Sequence, residues 1–373
     1  MSVRVPIRGV TLEWARTAMG ISAEELAKTA AVKPGQVEQW EAGDAVPTLP
    51  QLRKVAHHLE RTIAFFLTDP PASTGVPAMV DFRGATAGTV PSVVRRETKR
   101  AEQYRDTTLE LDGAPDAQLR LQPFDRRTLI DAAAMLREQL LAVVPDGKPR
   151  TPGEGFNRWR EALERLGVLV FQSTGVSRSI YRGLSVFHEQ YPIILVNGAD
   201  AANGKIFTLF HELGHLSNRS SGLCVEQEDG HEESLCNAFA AEVLMPATDV
   251  RRRIARSSRA DMVRQVVSTY GVSALAAAIR LHSLQLLDAA DLEQVRQESD
   301  DVWQRERDQL SAAEGHPPYA TLRYRDLGPT YVGRVMRALH QNRVDYLEAS
   351  YMLGAKIPTV EKLEQEYQRR GSQ

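Results

Sequence analysis

The feature that most constrains this 373-residue chain is the run Phe207-Thr208-Leu209-Phe210-His211-Glu212-Leu213-Gly214-His215. Histidines four apart on a helix project from one face, a turn apart. Two imidazoles so placed can reach one cation, and Glu212 beside the first can take a proton from a water at that cation. The neighbours supply the helix. Ile206, Leu209, Phe210, Leu213 and Leu216 form an apolar stripe, and Ile193-Ile194-Leu195-Val196-Asn197 reads as a strand before it. In this setting the pattern reads as a hydrolytic zinc site, with His211 and His215 as ligands and Glu212 as the catalytic base. The competing reading is a buried helix whose histidines are only hydrogen-bonded.

The length makes two or three domains the expectation. With 42% hydrophobic and 25% charged residues the composition is that of an ordinary globular protein. A net charge of −2 argues for neither a polyanion-binding tail nor a membrane surface. The N-terminus, Met1-Ser2-Val3-Arg4-Val5-Pro6, has no apolar core of a signal peptide, and no run approaches the ~18 apolar residues of a membrane span. Two cysteines, Cys224 and Cys236, make no disulfide framework, and Cys236 reads as a small buried side chain. A cytoplasmic location without a membrane partner follows as the expectation.

Residues 9–68 read as five short helices. Ser22 with Glu25 three residues on is a capping box that starts the second, and Leu26, Ala27 and Ala30 line one of its faces. Pro34 falls at the first turn of the third helix, with Val37 and Trp40 facing inward and Gly43 ending it. Leu49, Leu52, Val55, Ala56 and Leu59 form a fourth amphipathic helix and 63–67 a fifth. Ile21 to Ala27, Val37 to Gly43 and Pro47 together resemble the phage-repressor (Xre-type) helix-turn-helix. That resemblance implies an all-α N-terminal domain whose third helix enters the major groove of double-stranded DNA, with Lys33, Gln36 and Gln39 nearest to base edges and phosphate. Residues 1–70 hold eight Lys/Arg against eight Asp/Glu. A neutral domain without an arginine on its recognition helix binds DNA weakly alone, and the competing use is protein docking.

Residues 69–77 read as a linker and 145–153 as a second break. Between them lie helical stretches over 91–111 and 126–143; the first has a basic face (Arg95, Arg96, Lys99, Arg100, Arg105) partly balanced by Glu97, Glu102 and Asp106. A helix over 156–165 precedes three strands, 168–171, 182–187 and 193–196, with 188–192 as a turn in which His188 is a polar loop residue. Helix, three-stranded sheet and metal helix make an α+β order. A strand running past the metal helix can pair an extended peptide along its edge.

A catalytic zinc takes three protein ligands. A histidine six residues after His215 would supply one, but Ser221 stands there. His231, Glu232 and Glu233, at the start of the next helix, remain open on periodicity; Asp229 is a candidate N-cap there and Glu232 its capping-box partner. The run Glu233-Ser234-Leu235-Cys236-Asn237-Ala238-Phe239-Ala240, with Leu244-Met245-Pro246 behind it, resembles the ImmA/IrrE zinc peptidases. That resemblance implies Glu233 as the third ligand, Cys236 where alanine is more usual, and Asn237 one turn on, placed to hold a ligand histidine.

The resemblances imply a mainly α protein with a small α+β zincin-like core, divided into a helix-turn-helix domain (1–70), a helical connector (71–154), the peptidase domain (155–290) and a C-terminal helical region (291–373). They imply a Zn2+-dependent endopeptidase, cleaving a repressor-type regulatory protein in a stress or mobile-element response. A tyrosine, histidine or arginine often supplies a second oxyanion donor, and Tyr181, Arg182 and His188 are the nearby candidates. The competing function is a zinc-stabilised transcription regulator, or a toxin–antitoxin or phage-defence component, acting by binding. Beyond the metal site, 251–259 is a basic helix end, 262–284 has a helix-turn-helix spacing read as structural, 291–310 is helical, two helices over 330–341 and 343–353 close the fold, and the charged tail from Glu361 frays.

Overall fold

A computed structural model of the chain describes residues 3–19, 21–59, 61, 63–70, 91–144, 149, 151–219, 223–224, 231–254, 259–299 and 317–371. The linker beyond Pro70, the Asp229 cap and the 300–316 stretch lie outside the described residues. The chain divides into two compact units, Met1–Lys99 and Arg100–Gln373.

In the first unit, α1 (Gly9–Ala18), α2 (Ala23–Ala30), α3 (Gln36–Ala42) and α4 (Leu49–His58) enclose a core of Leu12, Leu26, Val37, Trp40, Leu52 and Phe66. The Ser22 side chain caps α2, as the spacing requires. Two local expectations change. Pro34 lies before α3, which begins at Gln36 behind a left-handed Gly35, and Ile63–Leu67 is a 3-10 turn.

The second unit begins within α5 (Ser92–Asp112) and continues through α6 (Leu129–Val143) and α7 (Pro152–Arg165). Helix α7 starts inside the composition-derived break because Thr151 caps it and Pro152 occupies its first turn. Strands β1 (Leu169–Ser173), β2 (Gly183–Val186) and β3 (Ile193–Asn197) are buried along their length, hence their unbroken apolar runs. A two-residue β4 (Leu223–Cys224) extends the expected three strands, and the sheet order is β1-β3-β2-β4. β3 is parallel to β1 and antiparallel to β2, and β4 pairs antiparallel with β2 at Gly183 and Leu184.

Helix α8 (Ala202–Ser217) follows β3 after four residues and packs on β2, β3 and α9 (His231–Leu244). Its Leu209, Phe210, Leu213 and Leu216 join Phe239, Ala240 and Val243 of α9 in one core with α6, α7, β1 and β3. Helices α10 (Ala247–Ile254), α11 (Arg259–Tyr270) and α12 (Ala274–Ser283) follow, and α11 and α12 meet at 112°. Ala277, Ala278 and Leu281 of α12 lie in that same core, so this pair is structural. After α13 (289–299) come α14 (Tyr319–Leu327), α15 (Pro329–His340), α16 (Tyr346–Met352) and α17 (Ile357–Gly371). Four helices therefore close the chain where two were expected, and the charged tail is helical to Gly371. Among the described residues no single helix is long and apolar enough to cross a membrane.

Candidate metal centre

The site is built where α8 and α9 approach most closely. A Cβ added to Gly214 would lie 3.1 Å from the Cys236 Sγ, so this glycine sets the spacing of the two helices. From α8 come His211 and His215, 6% and 3% exposed, and from α9 comes Glu233. His211 Nε2 is 3.0 Å from one Glu233 oxygen and His215 Nε2 is 3.1 Å from the other, while the two Nε2 atoms are 3.1 Å apart. Around an ion with bonds of about 2.0–2.1 Å, neighbouring tetrahedral ligands lie about 3.3 Å apart. Three donors converging at nearly this separation fit a small divalent cation.

The outer contacts set each ligand's orientation. His211 Nδ1 donates to Asn237 Oδ1 at 2.9 Å, which leaves Nε2 as the lone-pair nitrogen turned to the cluster. His215 hydrogen-bonds Cys236 as well as Glu233, and its Nδ1 is 3.6 Å from the half-exposed Glu232. Burial works against charge on His215, but its bonds to Cys236 and Glu233, aided by the Glu212 charge, lift it to about 11. Burial likewise favours neutral Glu233, but hydrogen bonds from His211 and His215 hold it down at about 2. Burial pushes the Cys236 thiol up.

Glu212 is fully buried, and among the described residues neither carboxylate oxygen has a hydrogen-bond partner. A buried carboxylate without partners is costly to keep charged. Strand β2 covers it: a Cβ on Gly183 would sit 2.3 Å from Glu212 Oε1 and 2.4 Å from Thr208 Cγ2. Two residues along, and so on the same sheet face, the buried Ser185 hydroxyl also has no partner among the described residues.

Residues 163–282 match the peptidase M78 family, IrrE N-terminal-like domain, and residues 12–66 match a helix-turn-helix family. Over these two stretches the chain is similar to an IrrE-like peptidase domain and to a helix-turn-helix. No curated protein matches it. The IrrE-like match runs from within α7 to the end of α12 and so contains the sheet, α8 and α9. The two matches together support a pairing of a peptidase-like domain with a helix-turn-helix module.

Within the IrrE-like domain, the structure brings His211, Glu212, His215, Glu233 and Asn237 together. It separates the two glutamates that periodicity left open: Glu233 faces both histidines, and Glu232 lies behind His215. His231 is exposed, its Nδ1 3.4 Å from an Arg126 nitrogen. The three oxyanion candidates are engaged elsewhere: Tyr181 donates to Ser173, His188 contacts Glu102 at 3.0 Å, and Arg182 approaches Asp200 at 3.6 Å. Sequence reasoning missed Gly183, Gly214 and the Cys236 contact. Gly183 had a signal, since a glycine inside a strand marks close approach of another group. In the helix-turn-helix, Lys33, Gln36 and Gln39 lie on the open side of α3 and the turn before it, with Gln36 donating to Gln39 at 3.0 Å.

Proposed function

We propose that the chain is a zinc-dependent metalloendopeptidase acting in the cytoplasm, with His211, His215 and Glu233 as the zinc ligands. The observation that carries this reading is the fully buried Glu212 carboxylate, without a hydrogen-bond partner among the described residues, beside three converging donors. Zinc held there supplies Lewis acidity to a water and to the scissile carbonyl. Glu212 receives the proton of the attacking water and delivers it to the leaving amine. Asn237 fixes the tautomer of His211 through its Nδ1 proton. The substrate is a repressor-type regulator, cleaved in a stress or mobile-element response. The N-terminal helix-turn-helix brings the enzyme to double-stranded DNA, with Lys33, Gln36 and Gln39 facing the duplex. The test is co-expression with neighbouring regulators, wild type against Glu212→Gln, followed by mass spectrometry of fragments. Glu212→Gln is expected to keep stoichiometric zinc and lose all cleavage. Full activity in that variant sinks the mechanism, and zinc-dependent DNA binding without any cleavage replaces the peptidase with a metal-stabilised regulator.

A further inference from the structure

The last three helices repeat the geometry of the N-terminal helix-turn-helix without a gap. Ser22 and Asp345 are the N-caps of α2 and α16, each accepting from the backbone of a glutamate three residues on, Glu25 and Glu348. From this pair onward the two segments stay in step. Leu26 and Ala349, Ala30 and Leu353, Val37 and Val360, and Trp40 and Leu363 are buried pairs, none more than 2% exposed. Backwards, Leu12 pairs with Val335 and Ala15 with Ala338, on α1 and α15, again all buried. The turn agrees as well: Ala31 has φ 57° and Gly354 has φ 54°, the left-handed residue that follows the second helix of each set, α2 and α16. In α1–α3 and in α15–α17 alike, the first and second helices both pack on the third. Burial periodicity alone is shared by many helix pairs. Caps, a left-handed turn and six buried positions in one register are not.

We propose that α15–α17 is a second helix-turn-helix and that its α17 face binds the phosphate backbone of double-stranded DNA. The three positions that face outward at the start of α3, Lys33, Gln36 and Gln39, correspond to Lys356, Thr359 and Lys362. Each triplet has the same exposure pattern, with the outer two exposed and the middle one half-buried. The C-terminal motif thus places two cations and a hydroxyl where its N-terminal counterpart has one cation and two amides. Those groups suit phosphate contacts better than base reading. Most acids around it are engaged within the fold. Glu348 caps α16, Glu364 pairs with His340 and Tyr346, and Glu366 pairs with Arg369. Glu361 occupies the place that Glu38 holds in the first motif.

The inference rests on the reading of the N-terminal motif as a DNA-binding fold, and the test separates the two. The full chain is titrated onto a short labelled mixed-sequence duplex across a salt series, as wild type, as K356A/K362A and as K33A/Q36A/Q39A. All the altered side chains are exposed or half-buried, and circular dichroism checks that each variant is folded. Losing two phosphate contacts lowers the slope of log affinity against log salt by about 1.8 and weakens low-salt binding roughly tenfold. That loss in K356A/K362A is the expected result, and it stands even if K33A/Q36A/Q39A binds normally, in which case only the N-terminal reading fails. Unchanged affinity and slope in K356A/K362A overturns the inference, whatever the N-terminal variant does. So does a wild-type chain that binds no duplex at low salt.

Discussion

Asn237 and Gly183 show how far single residues determine this site. Asn237 touches no ion, yet it holds the Nδ1 proton of His211 and so keeps Nε2 basic. Replacing it with alanine is expected to weaken zinc about 10–100-fold, read by competition with a chromogenic chelator. Gly183 acts by absence, because any side chain would strike Glu212. Gly183→Val should keep zinc stoichiometry and lower kcat about a hundredfold, the scale of an ångström's misplacement at a reacting group. Lys205 offers a pH signature away from the metal. Burial lowers it from 10.5 to about 8, while its Nζ donates to Gln172. The unfolded chain therefore binds the extra proton, so stability rises as pH climbs from about 8 to 10.5. Lys205→Met should remove that rise and gain up to about 3 kcal/mol at pH 7, measured by urea unfolding at both pH values. His211, Glu212 and His215 were legible because four-residue spacing fixes their shared face. Glu232 and Glu233 were not separable from periodicity, since only the crossing with α8 decides which carboxylate meets the histidines.

At the scale of elements, α7 is held by one buried cation. Arg160, 2% exposed, donates to Glu164 on its own helix, to Val170 O of β1 and to the Arg325 and Asp326 carbonyls of α14. Thr330 of α15 donates to the same Glu164. Arg160→Ala leaves Glu164 buried with its charge uncompensated, a loss of about 3–5 kcal/mol by denaturant titration, and adding Glu164→Gln should recover part of it. The positions of most helices followed from apolar spacing and caps. The start of α7 was misread because a Pro-Gly pair suggests a break, although proline is at home in a first turn. The packing of α14 on β1 was invisible in sequence, because its anchors are backbone carbonyls that any residue supplies. The two extra closing helices were missed where one segment is short and the other is charged along its exposed side.

Across the whole molecule, two compact units imply two melting transitions rather than one. On the proposed reading zinc binds only the folded second unit, where His211, His215 and Glu233 converge, and occupancy at a thousandfold its Kd adds about 4 kcal/mol. Chelation should therefore lower the transition that carries the peptidase core and leave the other in place, a result calorimetry reads directly. A single shared shift would mean that the units unfold together. The closeness of α8 and α9 also has a consequence for which ion the protein accepts. Since Gly214 already brings the helix backbones against Cys236, the width of the ligand triangle is a property of the scaffold rather than of adjustable side chains. A cation with oxygen bonds of about 2.3–2.6 Å, such as calcium, has to wedge the helices apart against a packed core, so discrimination by ionic radius is mechanical and scales with the stiffness of that contact.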